Sequence, residues 1–229
     1  MKLLNLVIFI ILNCAPVIYS NSKGMEKIIS RSGKEKFFPK DSIFLGFEKE
    51  FSFDLTELQK FRNPRSLEIL SLELGSIDLK NIPSWSNLEH LNFEGTNIDT
   101  LDELNIFPNL RILNLNKTKI NKIDSILRFK SITQLSLVKT NISTLKNLCK
   151  LIELRRLDIR ETKIDSIEEL KNCKKLNELY IGKTNIKDIK PLYGKKELIY
   201  LEIDNLELGQ QISEIRTFNP YLKIIYRGR

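Results

Sequence analysis

The side chains able to do covalent or acid-base chemistry are few here, and their types exclude most of it. Among 229 residues there is one histidine, His90, and there are three cysteines, Cys14, Cys149 and Cys173. An imidazole works as a base only with its proton path arranged by neighbours. The candidates are Glu73 and Glu94, which the spacing described below brings near His90. The chain has no glycine-rich phosphate loop, no zinc-binding helix signature and no serine elbow. One histidine and three scattered cysteines also fall short of the ligand sets that hold a structural metal. We therefore expect no catalytic residue, no metal site, no cofactor and no small-molecule substrate.

The elements that position these residues follow from composition and period. Leu occurs 36 times and Ile 31 times, against one Ala and three Val. Helical bundles and nucleotide-binding sheets need small residues where helices approach, so this balance disfavours both. Leu67, Leu88, Leu110, Ile132, Leu154, Leu176 and Leu198 each open a segment of the form L-x-x-L-x-L, with Phe or Ile also at the last place. Their spacings are 21 and then five times 22 residues. Positions 4 and 6 of this template alternate with polar residues, the two-residue period of a strand with one buried face. Positions 11, 14, 17 and 20 are apolar at steps of three, as in Ile142, Leu145, Leu148 and Leu151, which suits a 3₁₀ or irregular return. One such coil cannot bury its own apolar side, so stability must come from stacking.

The pattern resembles the leucine-rich repeat proteins of the 22-residue class, and within them the internalin-like bacterial subtype. Asn185-Ile186-Lys187-Asp188-Ile189-Lys190-Pro191-Leu192 is similar to the back half of an internalin repeat. The resemblance implies an α/β curved solenoid, an arc or horseshoe with a parallel β-sheet on the concave face and 3₁₀ or irregular segments on the convex face. It also implies a surface or secreted binding role. One departure is at template position 9, where the family places Asn and this chain has Thr96, Thr118, Thr140, Thr162 and Thr184. We expect a hydroxyl ladder there in place of stacked amides.

The organisation expected along the chain is a signal peptide over 1–20, a flexible basic leader over 21–41 and a degenerate capping repeat over 42–66. Seven repeats over 67–219 and a capping strand over 220–229 follow. The first twenty residues join a lysine to a short apolar run, then Pro16 and Ser20, too short to span a bilayer but suited to export. Cleavage after Ser20 removes Lys2 and leaves 36 basic against 29 acidic groups, a net charge of +7. A relaxed lipobox, Ile11-Leu12-Asn13-Cys14, is the alternative, with Cys14 acylated in an outer-membrane lipoprotein. The leader could instead pack on the first repeat through Phe37 and Phe38. Residues 198–219 read as irregular.

Recognition is expected on the concave side, where positions 2, 3, 5, 7 and 8 project. The first strands there are acidic, and the middle ones carry Arg111, Lys117, Lys139, Arg155, Arg156 and Arg160. Arg and Tyr are frequent binding anchors. We therefore expect a partner-binding patch of Arg156, Arg160, Tyr180 and Tyr200 with Ile112 and Val138 beside it. The competing reading is a solvated face whose arginines pair with Asp158 and Glu161. The expected partner is a protein with an acidic surface, from a host or an envelope, bound by a monomer. Membrane contact is expected only through Cys14. Nucleic acid is not expected, because both ends of the face are acidic and exposed aromatics are few. Cys149 and Cys173 fall one repeat apart, so a disulfide is conceivable. Position 20 otherwise holds Trp85, Phe107, Phe129 and Leu151, so the expected state of Cys173 is a buried free thiol.

Overall fold

The computed structural model describes residues 24–48, 51, 53–70, 78–204 and 206–227. The expected signal peptide, Cys14 and Glu73 lie outside the described residues. Two strands, β1 (Met25–Ile29) and β2 (Glu35–Pro39), form an antiparallel hairpin. The remaining nine make one parallel sheet in sequence order: β3 (Phe44–Phe47), β4 (Ser66–Ile69), β5 (His90–Asn92), β6 (Ile112–Asn114), β7 (Gln134–Ser136), β8 (Arg156–Asp158), β9 (Glu178–Tyr180), β10 (Tyr200–Ile203) and β11 (Lys223–Tyr226). Every strand therefore repeats the one before it, displaced by a single coil.

The spine of the stack is the column at position 4. Leu91, Leu113, Leu135, Leu157, Leu179 and Leu201 lie opposite one another in successive strands, and none is more than 1% exposed. Behind them the chain returns through 3₁₀ turns such as Ile126–Arg128, Leu148–Lys150 and Glu168–Asn172, which bury Ile126, Leu148 and Leu170. The three-residue apolar steps thus become the tight turns that the spacing anticipates.

The strands are short because position 8 turns sharply. Gly95, Lys117, Lys139, Glu161 and Lys183 occupy it with φ of 72°, 55°, 58°, 57° and 57°. Four of the five are not glycine, and each carries a modest steric cost in this left-handed region. The turn keeps the backbone ladder going: the amides of Gly95, Lys117, Lys139 and Glu161 donate to Asn116, Val138, Arg160 and Gly182 of the next coil at 2.7–3.0 Å. The position-9 threonines then close the turn within their own coil. Each hydroxyl donates to the carbonyl three residues earlier at 2.7 Å, Thr118 to Leu115 and Thr140 to Leu137 among them. The expected hydroxyl column is thus present at the turn and serves its backbone groups, each threonine bonding within its own coil.

Four expectations are corrected. The first repeat is phased three residues earlier than Leu67 suggests, since Leu67 itself lies opposite Leu91 and Ile69 is buried. Leu67-x-x-Leu70 fits positions 1 and 4 while Leu67-x-Ile69 fits positions 4 and 6, and only pairing decides. The basic leader is not aperiodic: β1 and β2 turn at Gly33 with φ 80°, Ile28 is buried, and the Phe38 ring lies 5.3 Å from Phe47 and 5.8 Å from Phe61. Phe37, by contrast, is exposed. The expected irregular end contains a ten-residue helix, α1 (Gly209–Phe218), whose Ile215 is buried and whose Phe218 stacks on Tyr193.

The fourth correction is Cys173, which forms a disulfide with Cys149, Cα to Cα 4.7 Å. The 3₁₀ turns stagger adjacent coils so that position 18 of one meets position 20 of the next. Other junctions on this side are closed by side chains on carbonyls. Arg128 donates to Asp102 at 2.6 Å and Leu104 at 2.9 Å, Asn105 to Ile82 at 2.7 Å, and Lys195 to Cys173 at 2.8 Å. The disulfide closes a sequence separation of 24 residues, worth about 3 kcal/mol on the chain-entropy model. Reduction with a thiol is therefore expected to lower the urea midpoint by a corresponding amount, and Cys149→Ser should reproduce the shift; an unchanged midpoint would mean that the two thiols are free.

Candidate interaction face

The sheet face is built from position 3, where Ser66, His90, Ile112, Gln134, Arg156, Glu178 and Tyr200 stand side by side, and position 5, where Glu68, Asn92, Asn114, Ser136, Asp158, Tyr180 and Glu202 do. Alternation aims these residues away from the leucine spine. Toward the later strands, however, they do not reach solvent. Tyr180 and Glu202 are each 1% exposed and Asp158 is 4% exposed.

What covers them is the arginines expected to bind a partner. The Arg156 guanidinium lies 4.3 Å from the Tyr180 ring centroid, donates to the Tyr180 hydroxyl at 2.7 Å and is paired with Glu178. Arg160 grips Asp158 through two bonds of 2.8 and 2.6 Å and reaches Glu202 at 3.1 Å. Its own guanidinium stands 5.4 Å from the same ring. The other oxygen of Glu202 faces Arg227 Nε at 3.1 Å, an ion pair without the alignment of a hydrogen bond. Tyr200 completes the cluster, its ring 5.1 Å from that of Tyr180.

Three guanidiniums thus meet three carboxylates, and the cluster is close to neutral. Burial alone would pull the Arg160 pKa down, but Asp158 and Glu202 outweigh it and hold the group firmly protonated. Burial pushes the Tyr180 hydroxyl up; Arg156 opposes this and Glu178 adds to it. Burial likewise raises Tyr200, with Glu202 contributing. Arg160 thus keeps its proton, and the Tyr180 and Tyr200 hydroxyls stay neutral, across the physiological range.

Of the six residues expected in the patch, the structure brings Arg156, Arg160, Tyr180 and Tyr200 together, with Tyr180 buried beneath the others. Ile112 and Val138 are half-buried on earlier coils. The two lysines expected to help make the middle positive are also engaged, Lys117 with Glu94 at 2.7 Å and Lys139 with Glu161 at 3.3 Å, and Lys183 joins Glu161 at 3.6 Å. Two cations remain. The side chains of Arg111 and Arg155 are exposed and, among the described residues, make no ion pair or hydrogen bond. Both stand at position 2, two strands apart, hence about 10 Å, with Thr133 between them. The sequence carried part of the signal, since Thr133 and Asn177 provide no opposite charge in the flanking coils, but Glu89 and Glu153 stand near Arg111 and Arg155, and only the structure shows those carboxylates hydrogen-bonded to Arg65 and Lys175, at 2.8 and 2.6 Å.

At the other end of the face Glu68 and His90 are about half-buried, and burial raises the pKa of the carboxyl and lowers that of the imidazole. Among the described residues no three His, Cys, Asp or Glu gather as metal ligands, and no helix is long and apolar enough to cross a membrane.

No family model and no curated protein matches the sequence, whereas 118 chains of solved structures match the fold. An internalin of Listeria monocytogenes, InlF, is 21% identical with a TM-score of 0.56, covering 75% of this chain and 48% of that one. Internalin C2 of the same organism is 18% identical at 0.53, over 76% and 84%. The functional domain of InlJ from Listeria monocytogenes, described as including a cysteine ladder, is 19% identical at 0.59, over 80% and 39%. The fold is a leucine-rich-repeat solenoid. Its sheet lies on the concave side and its 3₁₀ turns on the convex one, as the internalin-like resemblance implies. This leucine-rich-repeat chain spans about half the length of the InlF chain and less of InlJ. At these identities the likeness concerns the solenoid itself.

Proposed function

We propose that the chain is a non-enzymatic, exported binding protein whose concave face holds a protein ligand with an acidic surface, from a host or an envelope. The observation that carries this is the pair Arg111 and Arg155. Around them nearly every other cation of the face is matched to a carboxylate, so these two are the groups left to meet an anionic partner. Ile112, Gln134 and Val138, half-buried on the adjoining strands, supply apolar and hydrogen-bonding surface next to them. Seven strands make a face roughly 30 Å long, enough for a standard footprint of about 800 Å² per partner. The disulfide supports an oxidising compartment, in keeping with the signal peptide read at 1–20. The internalin likeness supports an interaction scaffold by analogy of fold.

The test is comparative capture from host and envelope fractions. Arg111→Glu with Arg155→Glu is expected to lose the captured protein at least about tenfold, the scale of one or two charge-assisted contacts. Lys122→Glu with Lys146→Glu, the same change of net charge on the convex side, should retain it. Equal capture by both variants would move the site off this face. Mass spectrometry of the mature N terminus, at Asn21 or at an acylated Cys14, decides between release and anchoring.

A further inference from the structure

The two edges of the nine-stranded sheet are finished differently. In β3 the carbonyls of Ile43 and Phe47 accept amides of the next coil, which turns the carbonyls of Phe44 and Gly46 outward. Both are taken by side chains: Ser42 Oγ donates to Phe44 at 2.7 Å and Lys36 Nζ to Gly46 at 3.3 Å. The hairpin packs beside them through Phe38. In β11 the amides of Lys223 and Arg227 donate to Ile199 and Ile203 of the preceding coil at 3.0 and 2.9 Å. They stand four positions apart, two strand periods, so the backbone groups of Ile224 and Tyr226 turn away from the sheet. Among the described residues, those groups have no partner.

An open edge is a template for another strand, and soluble proteins usually blunt it with charge, proline or a cover. This one reads Lys223-Ile224-Ile225-Tyr226, with Ile224 and Ile225 half-buried and Tyr221 90% exposed beside it. We infer that β11 pairs with β11 of a second copy of this chain, joining two solenoids tail to tail about a two-fold axis. A head-to-tail filament is disfavoured, because both outward carbonyls of β3 in the second copy already accept from Ser42 and Lys36 and the hairpin packs beside them. Among the described residues β11 is the edge of the nine-stranded sheet whose outward backbone groups are all open, so a second copy meets it with the same β11, which makes the contact isologous and closed.

The register follows from which residues face out. Ile224 meets its own counterpart and exchanges both backbone bonds with it, as outward-turned residues of antiparallel strands do. Lys223 then stands opposite Ile225 of the partner subunit, and Tyr226 opposite Leu222 of the partner subunit, so no like charges face each other. An axis normal to the sheet keeps both concave faces on one side and leaves Arg111 and Arg155 free.

Light scattering on the full chain, from micromolar to near-millimolar, tests this without any ligand. The expected result is twice the chain mass at high concentration, with amide exchange at Ile224 and Tyr226 slowing several-fold as the dimer fills. Ile224→Pro removes an amide that the preceding strand does not use; it should give a single-chain mass with unchanged circular dichroism. Should that variant misfold, the concentration dependence of exchange in the wild-type chain still decides. A single-chain mass throughout, a dimer that survives the proline, or slow exchange of both amides in the monomer, as when chain beyond residue 227 covers the edge, would each overturn the inference.

Discussion

Leu135→Asp is expected to leave the chain without a cooperative folding transition. Leu135 stands between Leu113 and Leu157 in the sheet, at 1% exposure. Removing its side chain from such a site costs about 2–5 kcal/mol through lost contacts and the cavity left behind. Placing an unpaired carboxyl in that apolar column costs several kcal/mol more, whether it is charged or forced to hold its proton. The sum rivals the whole stability of an ordinary domain, about 5–15 kcal/mol. A solenoid has no second core to fall back on, since each coil borrows its burial from both neighbours, and a middle coil that melts separates the ends. Far-UV circular dichroism during urea titration reads the result. Ile152→Asp is the control: it makes an apolar-to-acid change of similar size at a residue 68% exposed and should leave the midpoint within experimental scatter. A cooperative transition in Leu135→Asp close to that of the control would mean that the column does not hold the coils together.

That spine was readable in the sequence because it depends on one number, the 22-residue spacing, and on the preference of Leu and Ile for the side away from water. The returns were readable for the same reason. What escaped were features set by the meeting of two coils. Tyr180 sits at a position that alternation sends outward, and it does point outward. It is buried because Arg156 of the coil before and Arg160 beside it lie across its ring, and nothing in its own repeat announces that. The disulfide escaped because position 20 elsewhere carries large apolar residues, and the stagger that brings Cys149 to Cys173 is a property of the 3₁₀ turns. The first repeat escaped through a true ambiguity, Leu67 and Leu70 being three apart as positions 1 and 4 are, and Leu67 and Ile69 two apart as positions 4 and 6 are. The hairpin did leave a local mark: Ser32-Gly33 lies between two short runs, Ile28-Ile29 and Phe37-Phe38, each pair flanked by charge, which is a strand–turn–strand pattern. The net charge hid its meaning, since most cations of the face are spent on neighbouring carboxylates.

The same meeting of coils makes Arg160 a structural residue, and Arg160→Met is expected to cost about 3–5 kcal/mol, the usual penalty for removing one member of a buried ion cluster. Methionine keeps most of the aliphatic stem, so the loss reports the guanidinium rather than the packing. Without it Asp158 and Glu202 remain, with side chains 6% and 2% exposed. Arg227 still faces one oxygen of Glu202, but Asp158 loses both of its strong bonds. The sign of the pH dependence follows. An unpaired buried carboxyl binds its proton more tightly in the folded than in the unfolded chain, so it destabilises most at neutral pH and progressively less as the pH falls through its raised folded pKa. The gap between variant and wild type should therefore narrow in urea titrations moved from pH 7 to about pH 5. Adding Asp158→Asn and Glu202→Gln to Arg160→Met removes the stranded charges and should recover part of the loss at pH 7. A loss that is the same at both pH values, or no recovery in the triple variant, would show that the arginine acts through its stem alone and that the cluster does not couple the coils electrostatically.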